Sequence, residues 1–310
     1  MNNLVAGRSC PLDYRYRPEE IAAMPAAFSC KVLYVVGGLY GNPFALKALK
    51  QLVAKEPGAR VVFNGDFHWF DADAYWFTTI QQGVQAFDAL AGNVEKELAR
   101  IENLAGCGCA YPESVDQALV ERSNRIFQRL KQQMPQEGTM RDALKALPLF
   151  MKVQVGGRPV ALVHGDATSL AGWGFAVDGI DEPERQARIQ TWLQAAGVDA
   201  FASSHTCQPV CRRYPEGVVI NNGAAGMPNF ADGLYGVVTR IATRSGLLDP
   251  LYQSEYQGLR YQAVPLHFDA KAWQAWFLSY WPEGSDAYVS YWNRISQGTS
   301  LSREGADLWV

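Results

Sequence analysis

The sequence predicts an α/β fold, and three observations carry that expectation. Short apolar runs alternate with helix-spaced segments through residues 31–104, in the order strand, helix, strand, helix, strand, helix. Each of these strands ends at a glycine-flanked turn: Gly37-Gly38, Gly65-Asp66 and Gly92-Asn93. With 310 residues, 48% hydrophobic and 19% charged, the chain can bury a large core. That excludes a disordered tail or a small disulfide scaffold. The layout implies a largely parallel sheet, whose ligand sites lie beyond the carboxyl ends of its strands.

Residues 1–30 are polar and broken by Pro11, Pro18 and Pro25, and read as an arm over the domain. Lys31 to Val36 is a buried strand. Asn42 caps a helix with Pro43 as its first residue and Leu46, Leu49 and Val53 on one face. Arg60 to Asn64 is a strand, Asp73 to Gln82 a helix and Ala86 to Leu90 a short strand; Leu98, Ile101 and Leu104 then line a helix. Residues 110–148 read as a helical insertion, with Val115, Leu119, Ile126 and Leu130 on one face and a second helix capped by Thr139. Met151, Val153 and Val155 alternate, and Pro159 to Val163 runs back to His164-Gly165-Asp166. A helix at 182–196 leads to the strand Ala200 to Ser203, which ends at Ser204-His205-Thr206. Val218 to Ile220 and Gly236 to Ile241 are further strands. Residues 268–310 hold two aromatic-rich helices capped by Asp269 and Ser285, whose spacing suits core or interface packing. No repeat or linker divides 1–310, so one domain is expected.

The 28 basic and 31 acidic side chains give a net charge of -3, which argues against a nucleic-acid binder. No stretch approaches the roughly 18 uninterrupted apolar residues of a membrane span. The start, Met1 to Val5, lacks the basic end and apolar run of an export signal. Six cysteines are too sparse for a disulfide framework, so free thiols in a reducing cytoplasm are expected. Only four histidines are present: His68, His164, His205 and His267.

Four polar residues stand directly after predicted strands: Asp66, Asn93, His164 and His205. One such residue means little, because turns favour Asp and Asn. Four at one sheet edge, using two of the four histidines, form a mixed nitrogen and oxygen set. Such a set suits a divalent transition metal (Mn, Fe or Zn) better than calcium or a thiolate zinc site.

In these blocks the sequence resembles the calcineurin-like metallophosphoesterases. That family's order is Gly-Asp-x-His-Gly-Asn, Gly-Asp, Gly-Asn-His-Glu, a strand-end His, then Gly-His-Thr-His. This chain reads Gly37-Gly38-Leu39-Tyr40-Gly41-Asn42, Gly65-Asp66, Gly92-Asn93-Val94-Glu95, His164-Gly165-Asp166 and Ser204-His205-Thr206-Cys207. The segment Asn222 to Pro228 is similar to the family's late Asn-Pro-Gly-Ser-Val-Gly-x-Pro. The resemblance spans about residues 31–242 and implies two packed mixed β-sheets flanked by helices. It also implies metal ligands at Asp66, Asn93, His164 and His205, which match one half of the family's two-metal site.

The other half departs from the family. Its positions read Gly38, Tyr40, Asp66 and Cys207, and the family's acid histidine is replaced by Val94. One ion per chain is therefore expected. Tyr40 either acts in the site, as a hydrogen-bond donor or phenolate ligand, or fills the emptied space. His68 either faces the site or packs behind it. Cys207 is a soft ligand or a small filler, and Cys107-Gly108-Cys109 is a pair of buried thiols or a metal or redox element. Trp173 and Phe175 either wall a pocket or anchor their loop, and His267 reads as structural. The resulting expectation is a cytoplasmic, metal-dependent hydrolase of small phosphate esters, slow or atypical. Its alternative is a degenerate relative that binds a phosphorylated ligand or a partner without turnover.

Overall fold

The computed structural model describes residues 5–102, 104–135, 139–246 and 249–308. Residues 1–4 of the start read above for an export signal lie outside the described residues, as do 136–138 of the insertion and 309–310 of the tail. In chain order the strands are β1 (Ser29–Cys30), β2 (Val32–Val36), β3 (Arg60–Asn64), β4 (Asp88–Leu90), β5 (Phe150–Val155), β6 (Arg158–Val163) and β7 (Ala200–Ser203). They continue as β8 (Pro209–Tyr214), β9 (Gly217–Asn222), β10 (Gly236–Ala242), β11 (Tyr252–Tyr256), β12 (Leu259–Leu266) and β13 (Asp307–Leu308).

These strands form two mixed sheets, ordered β11-β12-β10-β2-β3-β4 and β1-β5-β6-β7-β9-β8-β13. The expected parallel pairing holds at the centre: β2, β3 and β4 run parallel, as do β6, β7 and β9. Antiparallel strands extend each sheet away from these trios. Period-two alternation sends Leu33, Val35 and Val62 of one sheet inward against Val160, Leu162, Ala202 and Ile220 of the other. The alternate residues Val32, Tyr34, Val36 and Phe63 face outward under the helices Pro43–Ala54 and Ala74–Val84. On the far side, Val163, Phe201 and Val219 pack against Ile189 and Leu193 of the helix Pro183–Ala196. The result is a helix, sheet, sheet, helix sandwich.

Several local expectations need correction. The helix after β4 is only Asn93–Leu98, and Ile101 and Leu104 are 88% and 59% exposed. Their helical spacing meets no core, and Gly106 and Gly108, both at positive φ, turn the chain back toward the site. In the insertion, the helix Gln117–Gln133 buries Val120, Ser123, Ile126, Phe127 and Leu130; Val115 precedes it and Leu119 is only half-buried. A short helix, Met140–Lys145, follows. The arm is stitched in rather than laid over: Tyr14, Tyr16 and Ile21 are buried and β1 pairs with β5. The tail after the helices Ala270–Tyr280 and Asp286–Gln297 ends as an edge strand on β8. Among the described residues, no helix is long and apolar enough to cross a membrane.

The two sheets meet closely where β2 and β7 end. A Cβ on Gly37 would lie 2.1 Å from Ser204 Cβ, and Asn222 Nδ2 donates to the Gly37 carbonyl at 2.9 Å. We therefore expect Gly37→Ala to destabilise the fold by about 1–3 kcal/mol through overpacking. A denaturation midpoint equal to that of the parent protein would contradict this contact.

Candidate metal centre

The four predicted ligands sit at the ends of β3, β4, β6 and β7, two from each sheet, and all are buried. His164 Nε2 is their common centre. It lies 3.1 Å from Asn93 Oδ1, 3.2 Å from His205 Nδ1 and 3.4 Å from Asp66 Oδ2. A four-coordinate ion with bonds of about 2.0–2.1 Å separates its ligand atoms by about 3.3 Å, so the spacing fits.

The protons favour a cation as well. His164 Nδ1 donates to the Asn64 carbonyl at 2.8 Å, and His205 Nε2 donates to the Cys109 carbonyl at 3.0 Å. A carbonyl only accepts, so the remaining nitrogens, His164 Nε2 and His205 Nδ1, face each other with their lone pairs. Asn93 Nδ2 donates to the Cys107 carbonyl at 2.9 Å, which turns its Oδ1 toward the same point. Four acceptors therefore converge, and a proton or a metal ion must sit among them. Burial pushes the Asp66 pKa up, but His164 and His205 outweigh it and hold the carboxyl below its usual range. Burial and the neighbouring His164 push His205 down to about 3. Burial lowers the His164 pKa and Asp66 raises it, with a net rise. An ionised carboxylate and two tautomer-locked imidazoles are the donor set of a divalent transition metal.

The turns that hold these ligands depend on a residue that the sequence reading quoted without a role. Glu95 accepts from the backbone N–H groups of Asp66 (2.7 Å), Phe67 (3.0 Å), His68 (3.3 Å) and Gly92 (2.9 Å). Two signals point to Glu95: it matches the Glu of the family's Gly-Asn-His-Glu block, and it holds the capping-box position of the helix Asn93–Leu98.

In the altered half, the Tyr40 ring lies over Gly38, where an added Cβ would be 2.7 Å from Tyr40 Cε2. The ring thus fills the space that a residue-38 side chain would enter. Its hydroxyl contacts Cys207 Sγ. Burial, Cys207 and Asp66 push the Tyr40 pKa well up, so it is a neutral phenol. His68 is not brought to the site. Its ring is sealed between Asp71 Oδ2 (2.5 Å) and Gln81 Oε1 (2.9 Å) and stacks on Phe77. Trp173 caps the His205 ring at 5.3 Å, whereas Phe175 packs into the core against Phe201. His267 is exposed beside Tyr235, away from the ligands. Cys109 borders the site and Cys107 contributes only its carbonyl.

A cavity of about 50 Å³ adjoins the ligands, walled by Tyr40, Trp69, Tyr111, Trp173, Cys207 and Tyr291, among others. Among the described residues, no lysine or arginine lines it. Tyr111 opens the insertion and Tyr291 comes from the last long helix, and no local sequence pattern marks either as part of the site. Arg294 of that helix donates to the carbonyls of Cys207 (3.0 Å) and Pro228 (2.7 Å), tying it to the site's loops.

No family model and no curated sequence matches the chain. Solved structures do. A metallophosphoesterase from Sphaerobacter thermophilus superposes with a TM-score of 0.55 at 14% identity, over 86% of this chain and 100% of that one. The chain has a metallophosphoesterase fold. A hypothetical protein from Pyrococcus horikoshii OT3 is similar, with a TM-score of 0.56 at 14% identity, over 87% of this chain and 99% of that one. Within that fold the buried Asp66, His164 and His205 form a group able to hold a metal ion.

We expect about one transition-metal ion per chain by elemental analysis of protein purified without added metal. His164→Ala or His205→Ala should lower metal affinity by more than the roughly 10–100-fold that changes outside a ligand set cost. His267→Ala should leave it unchanged. Two ions at full occupancy, or loss of metal on changing His267, would place the centre elsewhere.

Proposed function

We propose that the protein is a metal-dependent hydrolase of small phosphate esters, slow for its fold. The observation that carries this reading is the convergence of four acceptor atoms at the sheet edge, with both imidazole tautomers fixed by backbone carbonyls. The ion is Mn, Fe or Zn, held by Asp66, Asn93, His164 and His205. When bound, such an ion supplies Lewis acidity and lowers the pKa of a coordinated water.

The chain's own residues do the rest. Asp66 stays ionised and balances the ion's charge. The Asn64 and Cys109 carbonyls keep the imidazoles oriented. Trp173 and Tyr291 wall a small cavity beside the ligands. Tyr40 offers a neutral hydroxyl there, but Val94 offers no proton where the resemblance places a histidine. General acid–base help contributes about 10²–10⁴-fold, so its loss alone makes turnover slow.

The cavity's size favours a second reading. At about 50 Å³ the cavity is small beside the roughly 300–1,000 Å³ of ordinary ligand pockets, so it offers little room for an ester with a bulky leaving group. The second reading is a protein that holds its ion and a phosphorylated ligand without turnover.

Three results separate these readings. Metal-loaded protein should hydrolyse aryl phosphodiesters at least as well as monoesters, slowly, and Asp66→Ala should abolish it. Tyr291→Ala, by opening the wall, should raise turnover of bulky aryl esters; no turnover in either protein favours the second reading. The paired change Gly38→Asp with Tyr40→His removes the ring that fills the empty half and restores a carboxylate and an imidazole there. It should add a second ion and raise turnover several-fold. Fast turnover in the parent protein, abolished by the pair, would instead make Tyr40 part of a working site.

A further inference from the structure

Two indoles wall the cavity, and they differ in one respect. Trp173 Nε1 donates to the Cys109 carbonyl at 3.2 Å. Trp69 is 3% exposed, and no described protein group accepts from its Nε1–H. Buried donors without an acceptor are rare in folded proteins, and each calls for an explanation. The Trp69 backbone is held in place: its N–H donates to Asp71 Oδ1 at 2.8 Å, and Asp71 is itself gripped by the buried His68. Trp69 borders the cavity together with Asp66, Asn93 and His205.

The remaining chemistry of the cavity makes this donor matter. Asp66, Asn93 and His205 turn acceptor atoms toward the ion's position. No described lysine or arginine lines the space, and Val94 is apolar. The hydroxyls that border it are already engaged, Tyr40 with Cys207 and Tyr111 and Tyr291 with Ser123, which leaves the Trp69 N–H as the donor without a protein partner.

We propose that Trp69 Nε1–H is an anion-binding donor of this site and hydrogen-bonds an oxygen of the phosphoryl group held in the cavity. The inference rests on the phosphoester reading above. An indole N–H is a donor only and keeps its proton at ordinary pH. Trp69 thus stabilises negative charge in the site without acting as a general acid. Trp273 and Trp276 also leave their Nε1–H groups without a protein acceptor, but they stack on each other at 5.0 Å and do not border the cavity. Trp276→Phe is therefore a matched control.

The test uses the full chain loaded with Zn²⁺ and titrated with inorganic phosphate. The indole ¹⁵N–¹H signals of the nine tryptophans are followed alongside phosphate affinity. The Trp69 signal, identified by its absence from Trp69→Phe, should move downfield as phosphate binds. Trp69→Phe should bind phosphate about tenfold more weakly or worse, with zinc stoichiometry unchanged, and Trp276→Phe should match the parent. A Trp69 signal that stays still at phosphate saturation overturns the inference, as does unchanged affinity in Trp69→Phe. If that variant does not fold, the signal is assigned by backbone correlation in the parent, and its movement decides alone. Failure of the parent to take up zinc or bind phosphate removes the phosphoester reading and this one with it. Binding that leaves Trp69 undisturbed removes only this one.

Discussion

The buried carboxylate of Glu95 collects four backbone N–H groups from two turns that are 27 residues apart in the chain, and the site's geometry hangs on that contact. Gly65 and Asp66 are both left-handed there, at φ +79° and +51°. That conformation is costly for a residue with a Cβ, by about 1–2 kcal/mol. Hydrogen bonds return about 0.5–1.5 kcal/mol each, so the four together outweigh the strain. Burial and the Asp66 charge push the Glu95 pKa up with a net rise, against the pull of His68 and the N–H donors. Gly92 is needed because an added Cβ would lie 2.2 Å from Asp66 Oδ1. With the two turns clamped, Val94 N donates to Asp66 Oδ1 at 3.2 Å and leaves Oδ2 for His164.

A second set of contacts brings distant chain segments over the same edge. Tyr14 of the arm donates to Glu97 at 2.7 Å, and Tyr16 donates to the Asp166 carbonyl at 2.7 Å. Asp166 in turn gathers the N–H groups of Thr168, Ser169 and Gly174, which shapes the loop that presents Trp173. The insertion and the C-terminal helices are joined by Arg125 to Asp286 and Arg122 to Ser290. The lid over the cavity is therefore a composite of three segments, and none of them closes it alone.

How much of this was readable follows from how local each signal is. The ends of β3, β4, β6 and β7 were legible, because an apolar run followed by Gly-Asp, Gly-Asn or a lone His is a contiguous pattern, and those four positions did converge. The sheet edges were less so. β8 carries Arg212 and Arg213 and opens with Pro209, so its alternation is masked by charge. The Leu98, Ile101 and Leu104 spacing was helical but had no core to face. His68 looked like a site residue because it stands two places after Asp66; its orientation was decided by Asp71 and Gln81, and by the ring of Phe77. The cavity wall was illegible for another reason. Tyr111 and Tyr291 lie 180 residues apart, and only the packing of the insertion on the last helices makes them neighbours.

The altered half of the site shows why its changes belong together. The Tyr40 ring lies over Gly38 and occupies the space that a side chain at position 38 would enter. Gly38 and Tyr40 are both left-handed, at φ +63° and +53°, as is Cys207 at +58°, so the two loops keep tight turns with different side chains. The Tyr40 hydroxyl then needs a partner, and Cys207 provides it. An imidazole at 207 with none at 40, or the reverse, would leave a buried polar ring without its partner. The exchange also changes the charge. On the proposed reading, one divalent ion stands against Asp66 with the buried Glu95 close behind it, and no described lysine or arginine lines the cavity to add positive charge. A phosphodiester monoanion brings less uncompensated negative charge into such a site than a monoester dianion, and unpaired buried charge is strongly disfavoured. On the proposed reading, the same substitutions that fill the second metal position also set the charge of the substrate the site accepts.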